Sequence, residues 1–361
     1  MALLLALLLA ASPDTTGLLP APPAVRLYRV AWQKSLVQGD FLEWEPEEAG
    51  GPAVDPGSGT VVVGTRDGAV RAFRADGTEL WEFRAAAGFA GAPLLRDGVV
   101  YAGSLDGTLY ALDLGSGKER WRYAAGEEIG AAPLWADGLL VLATFQDSVI
   151  AVDARSGAWK WHHRRDQREG FTIRGCARPV LVRGLLVAGY SDGFVAALDP
   201  ATGAAKWERK VAPAGDYLDV DGLATDGTAV YAAAYSGAVL ALEPETGKAL
   251  WEQKAPGASR LLVDRGQVYA VTTSSILALS AGNGRPRWKR DLGGVPAAPP
   301  VRVGQRLAVP NTGGLALLDP ASGKLLRVFD PGTGVSASPA VLGRRAYVLS
   351  NGGALTALDF E

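Results

Sequence analysis

The sequence predicts an all-β fold, an eight-bladed β-propeller of four-stranded antiparallel blades whose ring is closed by N- and C-terminal strands sharing one blade. Three observations carry that expectation. A phrase of 23 residues, VVYAGSLDGTLYALDLGSGKERW over 99–121, recurs from Val61, Leu139, Leu185, Val230 and Val268, with a weaker copy from Leu307. Tryptophans close the copies at Trp81, Trp121, Trp161, Trp207, Trp251 and Trp288, spaced by 40, 40, 46, 44 and 37 residues. A period of that size marks an array of one supersecondary unit. Within each copy apolar residues alternate with period two, and Gly-rich turns return every ~8–12 residues, which excludes helical solenoids.

Each element of the unit has a local reason. Residues 99–102 are β-branched and aromatic, and Asp106-Gly107 is expected to supply the positive-φ pair of a two-residue hairpin turn. The strand over 108–112 ends at Asp113, Gly115-Ser116-Gly117-Lys118 make a second turn, and Arg120-Trp121 open a third strand. The fourth strand begins the next blade, at 91–95, 130–135, 177–181, 297–301 and 337–341. Small residues followed by proline suit an innermost strand, where Pro can start a strand without breaking a ladder bond. The tryptophans Trp32, Trp81, Trp121, Trp161, Trp207, Trp251 and Trp288 are expected to wedge between blades, each burying ~150–250 Å². That assigns them a structural role rather than a catalytic one.

The ends of the chain are complementary. Trp32 lies in an alternating stretch over 27–36 that lacks the strands preceding it in other copies, and 346–360 forms a hairpin that lacks the strand to follow. Together they complete one blade, which leaves the last blade no free edge within the ring. Counting Trp32 and the copy with Arg327 at the tryptophan position gives eight blades of about 42 residues.

Residues 1–12 read as a signal-peptide segment built on the apolar run over 3–11, 13–25 as a Pro-rich tether, and 26–361 as one propeller. The run of nine is too short to cross a bilayer, and no Lys or Arg precedes it. With 36 basic and 38 acidic residues and no run of five like charges, nothing marks a nucleic-acid surface. The single cysteine, Cys176, excludes an internal disulfide and reads as a buried structural thiol.

The repeat core, small-x-x-x-G-x-[LV]-x-A-[LV]-[DE]-x-x-[TS]-G-x-x-x-W, resembles the tryptophan-docking repeat of quinoprotein-like propellers. WD40 signatures are absent, and the paired glycines of kelch do not fit this register. Two insertions account for the long spacings: Phe171-Thr172-Ile173-Arg174-Gly175 after Trp161, and Tyr217-Leu218-Asp219-Val220-Asp221 after Trp207. Together with AWQKSL over 31–36 and AAAYSGAVLALEPETGKALW over 232–251, they resemble the BamB family, lipoproteins of outer-membrane β-barrel assembly. The resemblance implies that Phe171, Ile173 and Arg174 on one blade, and Asp219 and Asp221 on its neighbour, form the patch that docks the barrel subunit BamA. It also implies a monomeric, non-enzymatic scaffold at the periplasmic side of the outer membrane, with nascent outer-membrane proteins as further partners.

The residues themselves allow such a patch. Phe171 and Ile173 flank polar Thr172, so both can face one way from an extended segment while Arg174 offers bidentate contacts. Asp219 and Asp221 could fix Arg174 or receive a partner's basic group, and both readings stand. One departure is that no cysteine follows the apolar run, so anchoring would come through the partner or an unseen anchor.

Two alternatives keep the fold. A generic periplasmic propeller would bind another protein or a polysaccharide, and it gains if Phe171 and Asp219 are buried away from a shared surface. A pyrroloquinoline-quinone dehydrogenase would need an axial cofactor and Ca²⁺, but no set of Asp, Glu and Asn recurs at inner-strand positions to give calcium its ligands. No cofactor and no metal are expected. The only histidines, His162 and His163, are adjacent, point to opposite faces of a strand, and read as part of a solvated rim. No Ser-His-Asp arrangement or phosphate loop is indicated.

Overall fold

The computed structural model describes residues 27–37, 47–165, 176–212 and 217–361. Among them are thirty-two strands, β1–β32, arranged as eight four-stranded antiparallel sheets. Seven blades are consecutive in sequence. The eighth pairs β1 (Tyr28–Ser35) with β32 (Ala354–Phe360), so the ring closes as the ends of the repeat array imply. Blades are numbered here from the one that begins at Pro52, which makes the closing blade the eighth. Residues 1–26, which hold the expected signal and tether, lie outside the described residues.

Six of the eight innermost strands are only three residues long, and a proline opens or directly precedes each: Pro52, Pro93, Pro133, Pro179, Pro300 and Pro339. Proline has no N–H to add to the ladder, so pairing stops there. Blades five and six lack that proline, and their inner strands run longer, over Val220–Thr225 and Arg260–Asp264. The second and third strands of every blade are almost wholly buried, because both faces pack on neighbouring blades. Their Val, Leu, Ala and Tyr side chains form the core clusters between blades.

The turns differ from expectation in one respect. At Asp106-Gly107 only the glycine has a positive φ, +79°, and a four-residue loop joins Gly103 to Thr108. There the Gly107 N–H donates to the Ser104 carbonyl and the Ser104 N–H to that of Thr108. The two-residue turns with both φ values positive lie elsewhere, between the first and second strands, at Asp97-Gly98, Asp137-Gly138, Arg183-Gly184 and Arg265-Gly266. Sequence composition alone does not say which Asp-Gly is which, since both turn types accept it.

The tryptophans lock each blade to the next. Trp121 lies over Gly157, in the turn before the outermost strand of the following blade. A Cβ on Gly157 would stand 2.5 Å from the indole, and its φ of +72° already favours glycine. The same stacking joins Trp32 to Gly77, Trp81 to Gly117, Trp161 to Gly203, Trp207 to Gly247, Trp251 to Gly284 and Trp288 to Gly323. The preceding acidic residue shapes the turn: the Asp153 carboxylate accepts from the Ser156 N–H at 3.0 Å and its hydroxyl at 2.9 Å. Across the ladder every one of these tryptophans faces an alanine, as Trp121 faces Ala111, and a β-bulge beside the pair re-aims the ring. Thus the Ala of the repeat core is the space the indole leans over.

Arg327, at the tryptophan position of blade seven, now has a reason. Its docking turn would belong to blade eight, where no covalent turn exists, because the third and outermost strands there are β32 and β1 from opposite ends of the chain. Arg327 instead lies 5.8 Å from the Tyr28 ring, and Leu317 replaces the facing alanine. Tyr28 also packs edge-on against Phe329 at 5.8 Å.

Candidate functional site

All connections between one blade's outermost strand and the next blade's innermost strand emerge on one face of an antiparallel ring, together with the turns between second and third strands. Arg165 and Cys176, and Ala212 and Tyr217, flank two such connections, from blade three to four and from blade four to five. Phe171, Ile173 and Arg174 fall in the first and lie outside the described residues. Its flanks are well held. Arg165 donates to Asp192 at 2.7 Å and pairs with Glu208, and its guanidinium lies 4.0 Å from the Phe194 ring centroid, all on blade four. At the other end Cys176 faces the axial channel.

The stretch 217–221 divides in two. Tyr217 is 45% exposed with φ +59°, and its ring packs at a tilt against that of Tyr235, 6.2 Å between centroids. Leu218, Asp219, Val220 and Asp221 are buried. Asp219 and Asp221 therefore do not offer their carboxylates to the outer surface. Asp221 turns into the channel, where Arg260 Nη1 stands 3.8 Å from its Oδ2, and burial lifts its pKa to about 6 against the pull of Arg260. Tyr217 is the one residue of the stretch set outward, and sequence pattern missed it because alternation places Tyr217, Asp219 and Asp221 on a common side.

The two histidines do point apart. His162 Nε2 meets the Ser148 hydroxyl at 2.9 Å, whereas His163 Nδ1 meets the Tyr190 hydroxyl at 2.8 Å. Only His162 belongs to a solvated rim. His163 is half-buried, and desolvation lowers its pKa from the usual histidine value. Among the described residues no group of three or more His, Cys, Asp or Glu side chains could hold a metal ion.

The axial channel is the largest concavity near these residues, about 420 Å³. Carrying the strand registers one or two residues ahead of the short inner strands brings one residue of each blade to a common level around it: Gly51, Ala92, Ala132, Arg178, Pro299 and Ser338 just before their strands, and Asp221 and Arg260 inside theirs. Lateral contacts agree with this ring, since the Ser338 hydroxyl donates to the Pro299 carbonyl at 2.8 Å and Arg260 reaches the Asp221 carbonyl. Five members are small or neutral, and blades four, five and six place Arg, Asp and Arg side by side.

Eight four-stranded blades, each but one fastened to the next by a tryptophan on a turn glycine, define a quinoprotein-like repeat propeller. The sequence profile described as "Outer membrane protein assembly factor BamB" matches residues 29–115, 97–219, 219–327 and 272–361, and the chain belongs to that family. The outer membrane protein assembly factor BamB of Legionella pneumophila (strain Paris) is 30% identical over 145 residues. That match covers 39% of this chain and 38% of the relative, so the chain spans well under half the length of the curated relative it matches. Among solved structures, BamB from Moraxella catarrhalis is similar with a TM-score of 0.77 at 23% identity, over 92% of this chain and 100% of that one. Quinohemoprotein alcohol dehydrogenase from Comamonas testosteroni is similar with a TM-score of 0.75 at 16% identity, over 93% and 77%. At these identities the likeness is one of fold.

Proposed function

We propose that this chain is a non-enzymatic scaffold of outer-membrane β-barrel assembly, held in the periplasm at the outer membrane through its partner or through an anchor of its own. It docks a BamA-type barrel subunit by the face that carries 166–175 and Tyr217. The observation that supports this best is the ring of Tyr217, turned outward at the start of blade five in a chain of the BamB family whose preceding blade follows the segment that carries Phe171, Ile173 and Arg174 in the sequence. Phe171, Ile173 and Arg174 would supply the apolar and cationic anchors with Tyr217, a combination typical of interface centres. Asp219 and Asp221 would act from behind, as internal carboxylates, because both are buried. Nascent outer-membrane proteins are a further class of partner in this reading.

The burial of Asp219 favours a second reading, in which the same face binds another protein or a polysaccharide. Both are tested by affinity capture from detergent-solubilised envelopes with wild type, Arg174→Glu, Tyr217→Ala and Asp219→Asn/Asp221→Asn, each first shown to fold by circular dichroism. Capture of a β-barrel protein by wild type, cut at least about tenfold in Arg174→Glu and Tyr217→Ala, is the expected result. Capture of no barrel protein, or equal capture by all variants, removes the docking assignment and leaves the second reading.

A further inference from the structure

We infer that the axial channel is a binding site for a carboxylate, received by Arg178. Arg178 is the member of the eight-residue ring whose charge meets no countercharge among the described residues. Its Nη2 donates to the Pro133 carbonyl of the preceding blade at 3.1 Å, and that is its one hydrogen bond among the described residues. A guanidinium has five N–H donors in a planar fork, so the rest of the fork is open to the channel. Among the described residues no carboxylate forms an ion pair with it. Asp221, the neighbour at the same level, is engaged by Arg260 at 3.8 Å. Of the other ionisable groups lining the channel, Glu47 forms no ion pair with Arg178 and Cys176 is a thiol that burial holds neutral, its pKa pushed up to about 12.

The Arg178 side chain is exposed to the channel, and the protein mass around the channel still pulls its pKa below the ordinary arginine value by desolvation. Within a channel walled by protein the field of an unpaired cation is focused and screened less than on an open surface, so an anion entering from outside is attracted to it. The walls are shaped to admit one. Gly51, Ala92 and Ala132 leave the side of the ring away from Asp221 free of long side chains, and about 420 Å³ is within the range of small-ligand cavities. The planar fork matches a carboxylate through two parallel N–H···O bonds, which chloride cannot accept. Arg260 adds a second cation on the same wall, so a dicarboxylate gains over a monocarboxylate.

The source of the carboxylate is either a free small acid or the C-terminus of a peptide entering along the axis, and both present the same group. Calorimetric titration of the folded chain at low ionic strength distinguishes them. The probes are sodium acetate, sodium succinate, sodium phosphate, and N-acetyl-trialanine with a free or an amidated C-terminus. Saturable binding of succinate, or of the free-acid peptide but not its amide, is expected, weakened at least about tenfold in Arg178→Gln and partly retained in Arg178→Lys. Arg155→Gln, on an exposed turn of blade three, leaves it unchanged. Should Arg178→Gln not fold, Arg178→Lys against wild type carries the comparison, because it keeps the charge and loses the fork. Absence of saturable binding by every carboxylate, tighter binding of phosphate than of any carboxylate, or equal affinity in the Arg178 variants overturns the assignment.

Discussion

The carboxyl groups of Glu48 and Asp221 are buried, and burial raises them to about 7 and about 6. Glu48 holds Arg66 at 2.7 Å and its backbone N–H donates to Asn351, which ties the first blade to the closing one. An acid whose folded pKa lies above its unfolded value binds protons more tightly when folded. Its cost to stability is absent below the unfolded pKa and fully developed above the folded one. Between about pH 4 and 7 these two groups therefore make the protein less stable as pH rises. Asp67 and Asp226, held near 2 by hydrogen bonds, work in the opposite sense, and their contribution is lost only as pH falls from about 4 toward 2. Denaturant midpoints should be higher at pH 5 than at pH 8. Asp221→Asn should reduce that difference and raise stability at pH 8 by about 2 kcal/mol. A midpoint that rises steadily from pH 5 to pH 8 in wild type would contradict the assignment of these groups.

At the scale of the element, the unit is the tryptophan, the alanine it faces and the glycine on which it docks. Removing an indole should cost about 3–5 kcal/mol, as for other buried aromatic truncations. The polar part can be separated from the apolar part by comparing two joints. Trp251 Nε1 donates to the Ala281 carbonyl at 2.7 Å, whereas at the Trp121 joint the corresponding carbonyl, that of Ala154, accepts from the Tyr101 hydroxyl at 3.1 Å. Trp251→Phe is thus expected to lower stability by about 1 kcal/mol more than Trp121→Phe in urea denaturation. Equal losses would mean that stacking alone fastens the blades. Most of this unit was legible in the sequence: the tryptophans, the acidic residue and Ser or Thr of the turn, and the proline ahead of the inner strands all follow from local chemistry. The glycine's second role was not, because the ring it supports belongs to a blade some 40 residues away. Nor was the outward turn of Tyr217, since a positive φ at a non-glycine residue breaks the alternation from which faces are read. The axial Arg-Asp-Arg row is likewise invisible until strand registers set the three residues at one height.

For the whole molecule, closure depends on β1 meeting β32, with Tyr28 opposite Phe360 and Ser35 opposite Ala354. The Glu361 N–H donates to the Leu27 carbonyl at 3.2 Å, so the ends of the array lie side by side. A permuted chain that joins Glu361 to Leu27 through a short Gly-Ser linker and opens at the exposed Asp137-Gly138 turn should fold to the same spectrum and a similar melting temperature. Failure of that chain to fold, while the unpermuted protein carrying the same linker as a loop insertion folds, would show that the seam needs free ends. The seam also orders events during synthesis. The first strand made is the last to find its partner. A chain halted before residue 354 has seven complete blades, an orphaned β1 and two unpaired strand edges facing one another across a gap. Such a state is prone to pairing with a second copy, and the final eight residues decide between a closed ring and a sticky one.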